Sequence, residues 1–284
     1  MKKIFLTLAL AGMLYGGEAL AQIQTPQLSP ASTVQQTVGI TNFTVNYSRP
    51  GLKGRTAFGT LVPFDQVWRT GANASTFITF DDKVKLEGNE IAAGKYALFT
   101  IPGKEEWTII INKSTTGLPE LDAAQDLVRF KVKPQTLPVA VETFTIGFSN
   151  FTSTSANLDL TWDKTLVRIK VTTDPETKIM EQIKRVMANP LAAAAQNYFQ
   201  SANYYLENNK DMNQALEWIN KSVDIRKDAF WISKVKAEIL AKLGKYKEAI
   251  EVAEGSKKIA AEEKDDAYVK MNEDNIAAWK KLVK

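Results

Sequence analysis

Two rhythms of apolar residues run along the chain, and they meet at Asp174-Pro175. Before that point the period is two. Phe43, Val45 and Tyr47 alternate with Thr44 and Asn46; Phe144, Ile146 and Phe148, then Leu158, Leu160 and Trp162, then Val167, Ile169 and Val171 do the same. Successive side chains of a strand point to opposite faces, so this pattern predicts strands with one apolar and one solvated face. Antiparallel sheets packed as a sandwich or barrel accommodate such strands. Trp107 through Ile111 is apolar on both faces and predicts a centrally placed strand. Asp81-Asp82, Gly88-Asn89, Pro102-Gly103 and Asp163-Lys164 read as turns. Two connections, roughly Pro50 to Gly71 and Ser114 to Gln125, are longer than a hairpin needs.

After Asp174 the period becomes helical. Asp174 suits an N-cap and Pro175 the first helical position, where its missing N–H costs nothing. Ile179, Ile183, Val186 and Met187 then form one stripe, and Asn189-Pro190 repeats the cap-then-proline signal. An internal repeat follows: Gln214-Ala215-Leu216-Glu217 matches Glu248-Ala249-Ile250-Glu251 at a separation of 34 residues. Leu206 and Leu240, Ser222 and Ser256, and Ile225 and Ile259 keep that offset. This period, with a small residue in the second helix, resembles the tetratricopeptide repeat. Leu243-Gly244-Lys245-Tyr246 lies close to that consensus, whereas Lys210 occupies the glycine position of the first unit. Tyr268, Met271, Trp279 and Leu282 predict the apolar stripe of a terminal capping helix.

The reading is therefore a mixed, two-domain chain. Residues 1–21 are a signal peptide, 22–32 an extended lead-in, 33–173 an all-β antiparallel sandwich or barrel, and 174–284 an all-α domain of helical hairpins. The leader has Lys2 and Lys3 before an apolar run from Ile4 to Tyr15, then an Ala19-Leu20-Ala21 cleavage site before Gln22. The run is short for a membrane span, and no later stretch is apolar enough. These features predict a periplasmic or secreted protein, soluble after cleavage following Ala21, with no transmembrane segment.

Composition narrows the chemistry. The chain has no cysteine and no histidine. That removes thiol nucleophiles, disulfides, thiolate metal sites, the Ser-His-Asp triad and the usual zinc sites. Catalysis would have to rest on carboxylates, lysine, tyrosine, Ser/Thr hydroxyls or carboxylate-bound hard cations, and no catalytic or cofactor motif is recognisable. The formal charge of +4 is mild and interspersed, and gives no basic stripe for nucleic acid.

The residues that stand out in the β region are Tyr47-Ser48-Arg49-Pro50, Gly54-Arg55, Trp68-Arg69-Thr70-Gly71-Ala72-Asn73, and Ala93-Gly94-Lys95-Tyr96-Ala97-Leu98-Phe99. In that order they resemble the YSRP, GR, WRTGAN and AGxYxLF blocks of an exported bacterial family known only as a domain of unknown function. The resemblance covers roughly Ser29 to Thr172, and the helical tail resembles an extension that some members carry. The family implies no reaction, substrate or cofactor.

Read physically, Arg49, Arg55 and Arg69 are three guanidiniums close in sequence and interleaved with Tyr47, Phe58, Phe64 and Trp68. With Trp68 and Asn73 they form a potential ligand-binding set for an anion, because guanidinium forks match carboxylates and phosphates and stack on aromatic rings. The competing reading is that they brace the long loop, pairing with acids such as Asp65, Asp81 or Asp82. The expected function is an exported binding or assembly protein, with a protein or peptide partner on the helical repeats and an anionic small molecule on the β domain. The alternative is a receptor for an anionic or carbohydrate ligand, or an enzyme independent of His and Cys, acting through the arginine cluster. The two arginine readings differ in geometry: convergence on an open cleft, or termination on carboxylates.

Overall fold

The computed structural model describes residues 25–188 and 194–283. The expected leader and its cleavage site, and the Asn189-Pro190 signal, lie outside the described residues. The chain divides into two compact units, Met1–Pro175 and Glu176–Lys284.

The first unit is a β-sandwich. Its strands are β1 (Ala31–Val38), β2 (Thr41–Ser48), β3 (Thr76–Phe80), β4 (Val84–Leu86), β5 (Asn89–Ile91), β6 (Gly94–Ile101), β7 (Trp107–Asn112), β8 (Asp126–Val132), β9 (Gln135–Ser149) and β10 (Ser155–Thr173). A six-stranded sheet runs in the order β1-β2-β3-β6-β7-β8, and a four-stranded sheet in the order β5-β4-β10-β9; every pairing is antiparallel. The period-two residues fill the core between them: Phe43, Val45, Tyr47, Ile109, Ile111, Phe144, Ile146, Leu158, Leu160, Trp162, Val167, Ile169 and Val171 are all buried in one cluster. Ile110 points the other way, into a smaller cluster with Ala97 and Phe99 that Leu121 covers from the second long connection. That is why the Trp107–Ile111 run needs apolar residues on both faces.

Asp163-Lys164 is not a turn. Strand β10 runs straight through it, with a bulge at Asp163, which has φ +53°. The bulge explains a change of parity: Leu158, Leu160 and Trp162 face the core from even positions, Val167, Ile169 and Val171 from odd ones. One extra residue resets the phase of a strand.

The second unit contains α1 (Glu176–Met187), α2 (Ala195–Glu207), α3 (Met212–Ile225), α4 (Phe230–Lys242), α5 (Tyr246–Glu262) and α6 (Asp266–Lys280). Ala215 and Ala249 are both fully buried, as close helix approach requires. Ser222 and Ser256 make matching bonds: each hydroxyl donates to a main-chain carbonyl opening an earlier helix, Ala195 O and Phe230 O, at 2.8 Å in both cases. Two details differ from the sequence pattern. The left-handed residue that ends α2 is Asn209 (φ +48°), not Lys210, because the connection Asn208–Asp211 is one residue longer than Leu243–Lys245, where Gly244 has φ +75°. Asparagine tolerates that conformation. Lys210 is instead ion-paired with Glu176. On α6 the buried face is Asn272 and Ile276, flanked by Tyr268 and Trp279, while Met271 and Leu282 are 46% and 50% exposed. The inner position is polar because the Asn272 amide donates to Ser256 Oγ at 3.0 Å, and a hydrophobicity pattern passes over such a residue.

Expressed separately, residues 22–173 and 174–284 are expected to give β-type and helical circular dichroism spectra respectively; two unfolded pieces would show that the units share a core. Ala249→Leu has no room and is expected to cost about 1–3 kcal/mol in denaturant unfolding, against no change if the position were solvent-facing.

Candidate functional site

The connection from Pro50 to Ser75 supplies most of the lining of one open surface cavity. After β2 the chain leaves the first sheet and runs along the outer edge of β9 in the second. Gly51 bridges Thr143, Phe144 N–H donates to Pro50 O, and Leu52 N–H donates to Glu142 O, each at 2.9 Å. The segment thereby pairs part of an edge strand that would otherwise be open to another chain. Ala57 N–H then donates to the bulge carboxylate of Asp163 at 3.2 Å. Gly59 has φ +89°, and a Cβ there would lie 2.8 Å from the Phe64 ring, so only glycine fits. Finally Trp68 returns to the first sheet, exchanging main-chain hydrogen bonds with Thr100 at 2.7 and 2.9 Å.

Trp68 fixes the return by its side chain as well. Its indole stacks on Trp162 (centroids 5.8 Å, planes 18° apart) and meets Phe58, Trp107 and Phe144 edge-on at 5.0–6.2 Å. Its N–H donates to Gly71 O at 2.9 Å. Thr76 Oγ1 donates to Thr70 O at 2.6 Å, and a Cβ on Gly71 would come within 3.0 Å of Ser48 O. Asn73 is left-handed (φ +58°), and its amide donates to Ser29 O at 3.1 Å, tying down the lead-in to β1.

The five residues singled out in the sequence separate into two groups. Arg55, Trp68, Arg69 and Asn73 line one open cavity of about 480 Å³; Arg49 does not. The Arg49 guanidinium crosses to the other sheet, where Nε donates to Phe144 O at 3.1 Å and NH2 to Thr145 Oγ1 at 2.8 Å. Beside it, Tyr47 Oη accepts from Ile146 N–H at 3.0 Å and lies 3.3 Å from Ile146 O. Tyr47 and Arg49 thus clamp β2 to β9. Arg49 is a brace, but through neutral acceptors rather than the carboxylates that the bracing argument supposed.

Arg55 and Arg69 are held differently. Arg55 Nε donates to Leu52 O at 3.0 Å, and Arg69 NH1 donates to Asn73 O at 2.7 Å. Among the described residues neither guanidinium, nor the ammonium of Lys53, has a carboxylate within 4 Å, and none of the acids Asp65, Asp81 and Asp82 borders the cavity. Lys53 escaped the sequence reading because it lies between Leu52 and Gly54 with no motif around it. Its left-handed backbone (φ +49°) and the bond from its N–H to Glu142 Oε1 at 2.8 Å set its place at the cavity wall. Trp162 was read only as a core residue, yet it shares the cavity lining with Trp68. Leu28, Leu61, Val62, Pro63 and Val67 supply apolar wall.

Acids elsewhere on the sandwich have partners: Asp81 accepts from both the main-chain and side-chain N–H groups of Asn42 at 2.8 Å, and Glu106 pairs with Lys131 at 2.7 Å. Among the described residues there is no group of three or more Asp or Glu placed to hold a metal ion.

Residues 29–171 match the family described as protein of unknown function (DUF2911). The chain belongs to this family. The match runs from the lead-in into β10 and includes every cavity-lining residue except Leu28, and the residues of the helical unit follow it in the chain. Neither the curated proteins nor the solved structures contain a match.

The two classes of arginine differ in what their loss does to stability. Arg49→Ala leaves Phe144 O and Thr145 Oγ1 without the donor that joins the sheets, and is expected to cost about 1.5–3 kcal/mol. Arg69→Ala removes one bond at an exposed carbonyl and relieves repulsion from neighbouring cations, so a change of about 1 kcal/mol or less is expected. Urea unfolding of both variants checks the difference; an equal, large loss would make Arg69 a brace too.

Proposed function

We propose that this is an exported binding protein whose DUF2911 domain holds an anionic ligand in the cavity walled by Lys53, Arg55 and Arg69. The observation that carries the reading is the pre-organised, uncompensated charge. Two guanidiniums border one cavity, each pinned through a single N–H to a main-chain carbonyl. The rest of each fork is left for a ligand, and no carboxylate among the described residues lies within 4 Å of either; the nearby Glu142 carboxylate accepts from the Lys53 main-chain N–H instead. A pinned donor loses little freedom on binding, and a guanidinium fork matches a carboxylate or phosphate in two bonds. Clustered cations repel one another, and an anion relieves that repulsion.

The lining contains no carboxylate, and the chain has no histidine to act as a base near neutral pH. Recognition is therefore favoured over chemistry, with no cofactor or metal assigned. The helical unit is read as a tetratricopeptide-type repeat that offers its concave face to a protein or peptide partner. The matched serine ties, the buried Ala215 and Ala249 and the two helical hairpins α2–α3 and α4–α5 support this. Export to the periplasm or medium, with the mature chain starting at Gln22, follows from the leader. No helix among the described residues is long and apolar enough to cross a membrane.

Calorimetric titration of the mature protein with inorganic phosphate and with succinate tests the ligand reading. Binding is expected, and Arg55→Ala or Arg69→Ala is expected to weaken it about tenfold or more, the usual worth of a charge-assisted bond. Arg49→Ala should bind as the wild type does. No binding of either anion, or equal loss in all three variants, would contradict the proposal.

A further inference from the structure

We infer that the ligand of this cavity is an amphiphilic anion: a carboxylate or phosphate monoester carried on an aliphatic or aromatic body. The inference rests on the anion reading above and names the rest of the ligand.

Volume is the first argument. About 480 Å³ lies within the range of ordinary small-molecule sites and far exceeds an inorganic ion, so an ion alone would leave most of the walls wet. The character of those walls is the second. Away from the three cations they are Leu61, Val62, Pro63, Trp68 and Trp162, with Leu28 and Val67 at the rim. Leu28 is 80% exposed and Val67 46% exposed. Large apolar side chains left in water beside a cleft gain free energy when a ligand covers them.

The third argument is what the lining lacks. A sugar phosphate or other polyol needs acceptors for its hydroxyl protons. The lining has no carboxylate, and its side-chain acceptors are two, Asn73 Oδ1 and Ser29 Oγ; the Asn73 amide N–H groups are already given to Ser29 O and Ser48 Oγ, at 3.1 and 3.4 Å. The charge is concentrated in the three cations, and apart from Ser29 and Asn73 the other side chains of the lining are apolar. A ligand with one charged end and a plain hydrocarbon or ring system meets both halves. Its anion sits on Arg55, Arg69 and Lys53, and its body lies over Trp68 and under the Leu28–Val67 rim.

The test is calorimetric titration of the mature protein with a matched series: inorganic phosphate, hexyl phosphate and hexanol. Hexyl phosphate is expected to bind at least about tenfold tighter than phosphate, since several methylenes leave water. The double variant Leu28→Ser, Val67→Ser should shrink that ratio, and Arg69→Ala should weaken both anions. If phosphate binds as tightly as hexyl phosphate, the amphiphile inference fails while the anion reading stands. If neither anion binds, or hexanol binds as well as hexyl phosphate, the anion reading itself fails. Co-sedimentation with anionic vesicles without binding of hexyl phosphate would overturn the inference in favour of a membrane-inserting rim.

Discussion

Trp68 is the residue on which the rest of this β-sandwich depends. A two-sheet sandwich is closed along its faces by packing but is open at its ends and edges, where strands present unpaired main-chain groups. Here one excursion, from Pro50 to Ser75, covers part of one edge and joins the two sheets. It borrows the edge of β9 at Gly51 and Leu52, then returns to β6 at Trp68. The return holds because the Trp68 indole is only 8% exposed and packs against Phe58, Trp107, Phe144 and Trp162. An aromatic cluster of this kind is worth more than its buried area, since edge-on and offset contacts add to burial.

The cationic cavity is a consequence of that connection. Because Trp68 and Leu52 are fixed, Arg69 and Arg55, one residue and three residues further on, start from rigid backbone. Each then takes a single hydrogen bond to a main-chain carbonyl in its own loop. Arg49 starts from an equally rigid place, the end of β2, but faces the second sheet and is consumed in joining it. The difference between Arg49 and the two cavity-lining arginines is thus one of direction. All three are held, and only Arg55 and Arg69 are held beside open space.

The sandwich and the helical unit were legible in the sequence because burial imposes a period on both. Phe43, Val45 and Tyr47 could not alternate with polar residues for any simpler reason than one buried face. The bulge at Asp163 was also present in the sequence, as the change from even to odd apolar positions between Trp162 and Val167. It resembled a turn because Asp-Lys is ordinary turn chemistry. The site was legible only in part. Arg49, Arg55 and Arg69 look alike in the chain, and what separates them is the packing of β2 in one sheet against β9 in the other, nearly a hundred residues apart. Lys53 and Val67 carry no local signal, since a surface lysine and a surface valine occur in any loop. In the helical unit, the Asn272–Ser256 bond puts a polar residue on the buried face of α6, and no hydrophobic stripe can report it.

A pre-formed cavity requires the long connection to be a fixed part of the β-sandwich rather than a mobile loop. Amide hydrogen exchange of the free protein at Trp68 and Thr100, whose N–H groups are bonded to each other's carbonyls, measures this directly. Both amides are expected to exchange as slowly as those of Ile109 and Val45 in the core strands, through global unfolding. If they exchange orders of magnitude faster than those strands, at the rate of exposed loop positions such as Lys104, the connection opens on its own. The cavity would then not be pre-formed.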